Sequence, residues 1–139
     1  MAEIEELARI AIDCGLHLHK QLGPGLLKSA YEALLAERLR REGCEVERQK
    51  LLPIEFEGIR LEEAYRVDLL VGGTLIEIKS VERLSAVHCK QLLTYIRLAQ
   101  QPVGLLMNFG GETFREGLRR IVKGPANILP FSKERKDCF

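Results

Sequence analysis

The chain has 139 residues, is 46% hydrophobic and 29% charged, and sets 21 Lys and Arg against 20 Asp and Glu for a net charge of +1. That length suits one domain with one core, the apolar content excludes a disordered chain, and the charge gives no sign of a strongly basic nucleic-acid binder. No apolar run reaches the roughly 18 residues of a membrane helix, and the acidic start Met1-Ala2-Glu3-Ile4-Glu5-Glu6 is unlike a signal peptide, so a soluble cytoplasmic protein is expected.

In chain order, residues 3–20 predict a helix, with Ile4, Leu7, Ile10, Ala11, Cys14 and Leu18 recurring at three- and four-residue steps. Gly23-Pro24-Gly25 breaks it. A second helix is predicted from Leu26 to Arg41, striped by Leu27, Ala30, Tyr31, Leu34, Leu35 and Leu39 and stopped at Gly43. The period then shortens. Val46 to Lys79 predicts an antiparallel meander turning at Glu57-Gly58 and Gly72-Gly73. Helical pattern returns over 85–99, and Val103 to Phe109 has the length of a buried strand. Phe114 to Val122 suits a strand or a helix, and 124–139 reads as a loose tail, leaving one domain over 1–123. Helix, helix, strands, helix, strand implies an α/β or α+β domain with a mixed sheet.

Cys14, Cys44 and Cys89 are expected to be small buried hydrophobes and Cys138 an exposed thiol. No Cys-x-x-Cys occurs, which argues against zinc, and a disulfide framework is not expected. Basic residues gather late in the chain (Arg115, Arg119, Arg120, Lys123, Lys133, Arg135 and Lys136), as a solvated face or a local phosphate-binding patch.

Chemistry concentrates at Asp68 and Glu77-Ile78-Lys79. Glu77 and Lys79 leave one face of a strand. Counting back from the Gly72-Gly73 turn sets Asp68 directly opposite Glu77. Two acids side by side among Leu, Ile and Val repel, and a hard divalent cation relieves that conflict. Lys79 would then orient water or stabilise developing negative charge. A buried ion pair without catalysis is the plainer alternative. On the next helix, His88, Gln91 and Tyr95 share a face that would meet a ligand or form the core edge.

The set Asp68, Glu77-x-Lys79 and Gln91-x-x-x-Tyr95 resembles the RecB-like, QxxxY-bearing branch of the PD-(D/E)XK nuclease superfamily. Gly23-Pro24-Gly25-Leu26-Leu27, Tyr31-Glu32, Arg66 to Val71, Ile76 to Lys79 and Gly104 to Phe109 further resemble the small GxxExxY proteins assigned to it. The resemblance implies a restriction-endonuclease-like core, a mixed sheet flanked by helices. It also implies Mg²⁺- or Mn²⁺-dependent cleavage of nucleic acid, DNA in preference to RNA. Asp68, Glu77 and the Ile78 carbonyl would hold metal, Lys79 would serve catalysis, and Gln91 and Tyr95 would position substrate. No membrane partner is implied, and a homodimer is open. A catalytically inactive nucleic-acid-binding or regulatory module on the same fold is the alternative. One departure stands out: Lys28 occupies the motif's Glu position, where an ammonium would repel a cation. Glu32, one turn on, is a candidate substitute ligand or a local salt-bridge partner for Lys28, and His88 a further auxiliary residue.

Overall fold

The computed structural model describes residues 2–122 and 128–130. Two helices, α1 (Ala2–Leu22) and α2 (Lys28–Arg41), precede strands β1 (Glu47–Phe56), β2 (Ile59–Val71) and β3 (Thr74–Lys79). Helix α3 (Ala86–Leu98) leads to β4 (Val103–Asn108), a short 3₁₀ turn at Arg115–Gly117, β5 (Leu118–Val122) and β6 (Ile128–Pro130). The six strands form one sheet in the order β1-β2-β3-β4-β5-β6. The first three make the expected antiparallel meander, and α3 carries the chain to β4, which runs parallel to β3. The domain is α/β with a mixed sheet flanked by helices, consistent with a restriction-endonuclease-like core.

Two findings refine the sequence reading. The undecided stretch from Phe114 is a 3₁₀ turn followed by strand β5, since its apolar Leu118 and Ile121 are both buried in the sheet. In the expected tail, Ile128–Pro130 pairs antiparallel with β5, whose outer edge is otherwise open. The remaining tail residues, 124–127 and 131–139 with Cys138 among them, lie outside the described residues. Cys14, Cys44 and Cys89 are buried as expected. Cys14 and Cys44 are free thiols, whereas Cys89 is disulfide-bonded, contrary to its reading as a simple buried thiol. Of the late basic residues, Arg120 pairs with Glu5 on α1 and Arg119 bonds the carbonyls of Glu116 and Leu118.

The core lies on both faces of the sheet. Helices α1 and α2 cover Leu69, Val71, Ile76, Ile78, Leu105 and Met107. Helix α3 covers Tyr65, Val67, Leu75, Leu106 and Ile121. All six residues of β4 are buried, as a strand covered on both faces requires. The Glu57-Gly58 turn has φ of +51° and +79°, the paired positive values of a type I′ hairpin. Among the described residues, no helix is long and apolar enough to cross a membrane.

Two fastenings fix the ends of the elements that carry the site. Asn108 accepts the Val81 N–H at 2.9 Å and donates to the Val81 carbonyl at 2.9 Å, tying the exit of β3 to the end of β4. Tyr31 is fully buried and stacks on Phe109 at 4.6 Å. Its hydroxyl donates to the Gly23 carbonyl and accepts the Leu26 N–H, so it pins the loop that leads into α2.

Candidate active site

The β2–β3 ladder pairs Val71 with Thr74, Leu70 with Leu75 and Leu69 with Ile76, as the turn count predicts. It stops there. Asp68 and Glu77, expected as the next direct partners, are not paired through their backbones. Their side chains take over. The Asp68 N–H donates to Glu77 Oε1 at 3.1 Å, and the Ile78 N–H donates to Asp68 Oδ2 at 2.8 Å. The β1–β2 ladder also skips the position between Arg48–Leu69 and Lys50–Val67, where Gln49 would meet Asp68. Around this point β2 changes its alternation: Tyr65 and Val67 pack under α3, Leu69 and Val71 under α1 and α2. Asp68 therefore sits at a break in the sheet, where one backbone donor, the Ile78 N–H, serves its carboxylate and its own N–H serves that of Glu77.

Asp68 is only 4% exposed. Its Oδ1 accepts from Lys28 Nζ at 2.9 Å and from Gln49 Nε2 at 3.3 Å. Lys28 is thus at the site, at the first residue of α2, where Tyr31 and the Gly23–Leu27 loop aim it. The expected alternative, a Lys28–Glu32 salt bridge, does not form; Lys28 pairs with Asp68 instead. Glu32 is buried, and Arg48 Nε binds it at 3.2 Å while Gln49 Nε2 reaches its two oxygens at 2.9 and 3.0 Å. Glu32 is thus held between Arg48 and Gln49.

Across the cleft, Glu77, Lys79, His88, Gln91 and Tyr95 line one small pocket with Tyr65, Leu92 and Leu106. The helix face and the strand face read from the sequence therefore meet. Tyr95 stacks on Tyr65 at 3.6 Å. The Ser85 N–H donates to His88 Nδ1 at 3.2 Å, so a neutral His88 carries its proton on Nε2.

Burial, then the charge of Asp68, raises the pKa of Glu77; the Tyr65 hydroxyl, the Asp68 N–H and Lys79 pull the other way. Burial, then Glu77, pushes the Tyr65 phenol far up, so it stays protonated. Burial and the Lys79 charge lower His88, favouring the neutral ring. Burial opposes the charge on Lys28, but the bond to Asp68 and the fields of Asp68, Glu77 and Glu32 together raise its pKa.

A family model of the PD-(D/E)XK nuclease superfamily matches residues 5–121. The chain belongs to that superfamily. Comparison with curated proteins and with solved structures gives no match. Membership suggests a nuclease and a nucleic-acid substrate, and nucleases of this superfamily generally use divalent metals such as Mg²⁺. The donor chemistry fits such an ion: the buried Asp68 carboxylate lies beside the partly buried Glu77, whose ionisation burial and the Asp68 charge oppose. Among the described residues no group of three or more His, Cys, Asp or Glu converges on one point, so Asp68 and Glu77 are the acids available.

The sequence reading missed three site residues. Gln49 and Arg48 look like polar edge-strand residues, and nothing in their spacing marks them. Tyr65 was legible in principle, as an aromatic three residues before Asp68 in an apolar strand.

Proposed function

We propose that the protein is a metal-dependent nuclease that hydrolyses phosphodiester bonds in DNA, with RNA the less favoured substrate, and that it belongs with the GxxExxY proteins and the QxxxY branch. One observation carries this: Glu77 and Lys79 open with His88, Gln91 and Tyr95 onto one pocket, with Asp68 bonded to Glu77 and Ile78 beside it. Asp68, Glu77 and the Ile78 carbonyl would hold Mg²⁺ or Mn²⁺. Bound there, the ion supplies a Lewis acid and lowers the pKa of water. Lys79 orients the attacking water and offsets charge developing on the phosphate. Gln91 donates to a phosphate oxygen, and the Tyr65–Tyr95 stack holds the Tyr95 ring at the mouth, where it positions the strand. His88 presents its Nε2–H to the same space. The composition suits a cytoplasmic setting.

The test is a cleavage assay on single- and double-stranded DNA with Mg²⁺, Mn²⁺ or chelator. Metal-dependent cutting is expected, and Asp68→Ala or Lys79→Ala should each lower it at least about a hundredfold. Cutting that persists in chelator, or in both variants, refutes the reading.

A second reading rests on the Lys28–Asp68 pair: a catalytically silent nucleic-acid-binding or regulatory module, its metal position filled by an ammonium. DNA binding by a wild type that cuts under no metal condition would favour it.

A further inference from the structure

Among the described residues, three cations face the acids of this site, and they are not equivalent. Arg48 is committed to Glu32 and lies on the β1 side. Lys79 shares the α3-side pocket with Glu77. Lys28 alone bonds Asp68 Oδ1 with a full positive charge, at 2.9 Å. Its side chain is 45% exposed, whereas that of Asp68 is 5% exposed. The acid is fixed and the lysine reaches it from solvent. Asp68 keeps two donors, the Ile78 N–H and Gln49 Nε2, when the lysine is away. The carboxylate would therefore stay in place without Lys28, and the lysine is free to change partner.

We propose that Lys28 is an internal counter-ion that occupies Asp68 in the free protein and moves to a backbone phosphate when nucleic acid binds. This rests on the metal-dependent reading above. A divalent cation competes with the Lys28 ammonium for Asp68 Oδ1, because both are drawn to the same oxygen and repel each other. A phosphate at the mouth of the site offers Lys28 an equivalent anionic partner. Once Lys28 takes it, Asp68 is open. Metal and nucleic acid then each raise the affinity for the other, since coupling between two sites is reciprocal. The departure from the family motif becomes a device that loads metal when substrate is present. Lys28 is a positioning and specificity residue here, acting through Asp68.

The experiment measures Mn²⁺ affinity by calorimetry, with and without a phosphorothioate DNA duplex that resists hydrolysis. It uses the full chain as wild type, Lys28→Gln and Lys28→Arg. For wild type, DNA should raise Mn²⁺ affinity at least about fivefold, the lower end of ordinary coupling. Lys28→Gln should bind Mn²⁺ about tenfold more tightly than wild type without DNA and lose the DNA effect. Its DNA affinity should depend less on salt, the log–log slope falling by about 0.9 for one lost phosphate contact. Lys28→Arg keeps the charge and should keep the coupling. Equal Mn²⁺ affinity in wild type and Lys28→Gln, or an unchanged salt slope, overturns the proposal while leaving the metal site standing. No Mn²⁺ binding by any of the three, with or without DNA, overturns the metal reading and the proposal with it. A thermal melt of each variant confirms that it folds, which the half-exposed position of Lys28 favours.

Discussion

Gln49 has a φ of +53°, left-handed for a residue that is not glycine, at a cost of about 1 kcal/mol or more. The return is a carboxamide placed between two buried carboxylates, with Nε2 within 3.3 Å of both Glu32 and Asp68. Leaving buried acceptors short of a donor costs about 1–3 kcal/mol. Only Glu32 Oε1 would lose its sole donor, so the loss and the backbone relief are of similar size and Gln49→Gly should stay within about 1 kcal/mol of wild type in urea unfolding. Gln49→Glu adds a third acid to the pair and should cost more, with part of the loss recovered at acidic pH. A Gln49→Gly protein more stable than wild type by more than this would show that the strain outweighs the bridge. A second change addresses charge at the same place. At ~6 Å and an effective dielectric of ~20, a unit charge is worth about 2–3 kcal/mol before screening. Lys28→Glu removes one positive charge and adds a negative one, so Mn²⁺ titration should show at least about a tenfold gain in affinity.

Among the elements, α2 owes its entry to Tyr31. The ring supplies burial and the stack on Phe109, and the hydroxyl holds Gly23 and Leu26. Tyr31→Phe keeps the ring and should cost about 1–2 kcal/mol for the lost hydrogen bonds. It should also loosen Lys28, read as faster amide exchange at 25–28 with little change in β4. Tyr31→Ala loses the ring and should cost about 3–5 kcal/mol. At the other fastening, a Cβ on Gly110 would lie 2.4 Å from the Val81 carbonyl oxygen. Neither backbone can give way while Asn108 clamps Val81, so Gly110→Ala should lower the melting temperature sharply. Gly111→Ala should be mild, because its nearest contacts are 3.8 Å away.

For the whole molecule, pH dependence follows from Glu77. Its folded pKa is raised, chiefly by burial and then by Asp68. Protonation therefore favours the fold: the contribution is fully present below the ordinary carboxylate pKa and is lost as pH rises through the folded value. Metal-free wild type should lose stability over that window relative to Glu77→Gln, measured by thermal melts at stepped pH. Lys28 behaves differently: with its pKa raised, its contribution persists through neutrality and is lost only above the ordinary lysine range. Mg²⁺ or Mn²⁺ binds the native state and should raise the melting temperature at neutral pH, with about 2.7 kcal/mol expected at a hundred times Kd. No shift at saturating metal would count against the site.

Local pattern is enough for most of the elements and for the acids and lysine of the site, but it left 114–122 open between strand and helix and read β6 as tail. Period and punctuation suffice for α1, the meander and α3, because a helix stripe, a strand alternation and a Gly-Gly turn are local properties of the chain. Asp68, Glu77 and Lys79 were legible because acids inside an apolar strand need an explanation wherever the strand lies. Their exact relation was not. Counting from the Gly72-Gly73 turn assumes a regular ladder, and the ladder ends at Leu69–Ile76, where side chains take the backbone donors. Gln49, Arg48 and the partner of Lys28 depended on β1, β2 and α2 meeting far from one another in sequence. Lys28 had Glu32 one turn away, yet pairs with Asp68 forty residues on, because α2 docks its first turn against the break in β2 while β1 claims Glu32. Competition of that kind is settled by packing, and only the tertiary structure decides it.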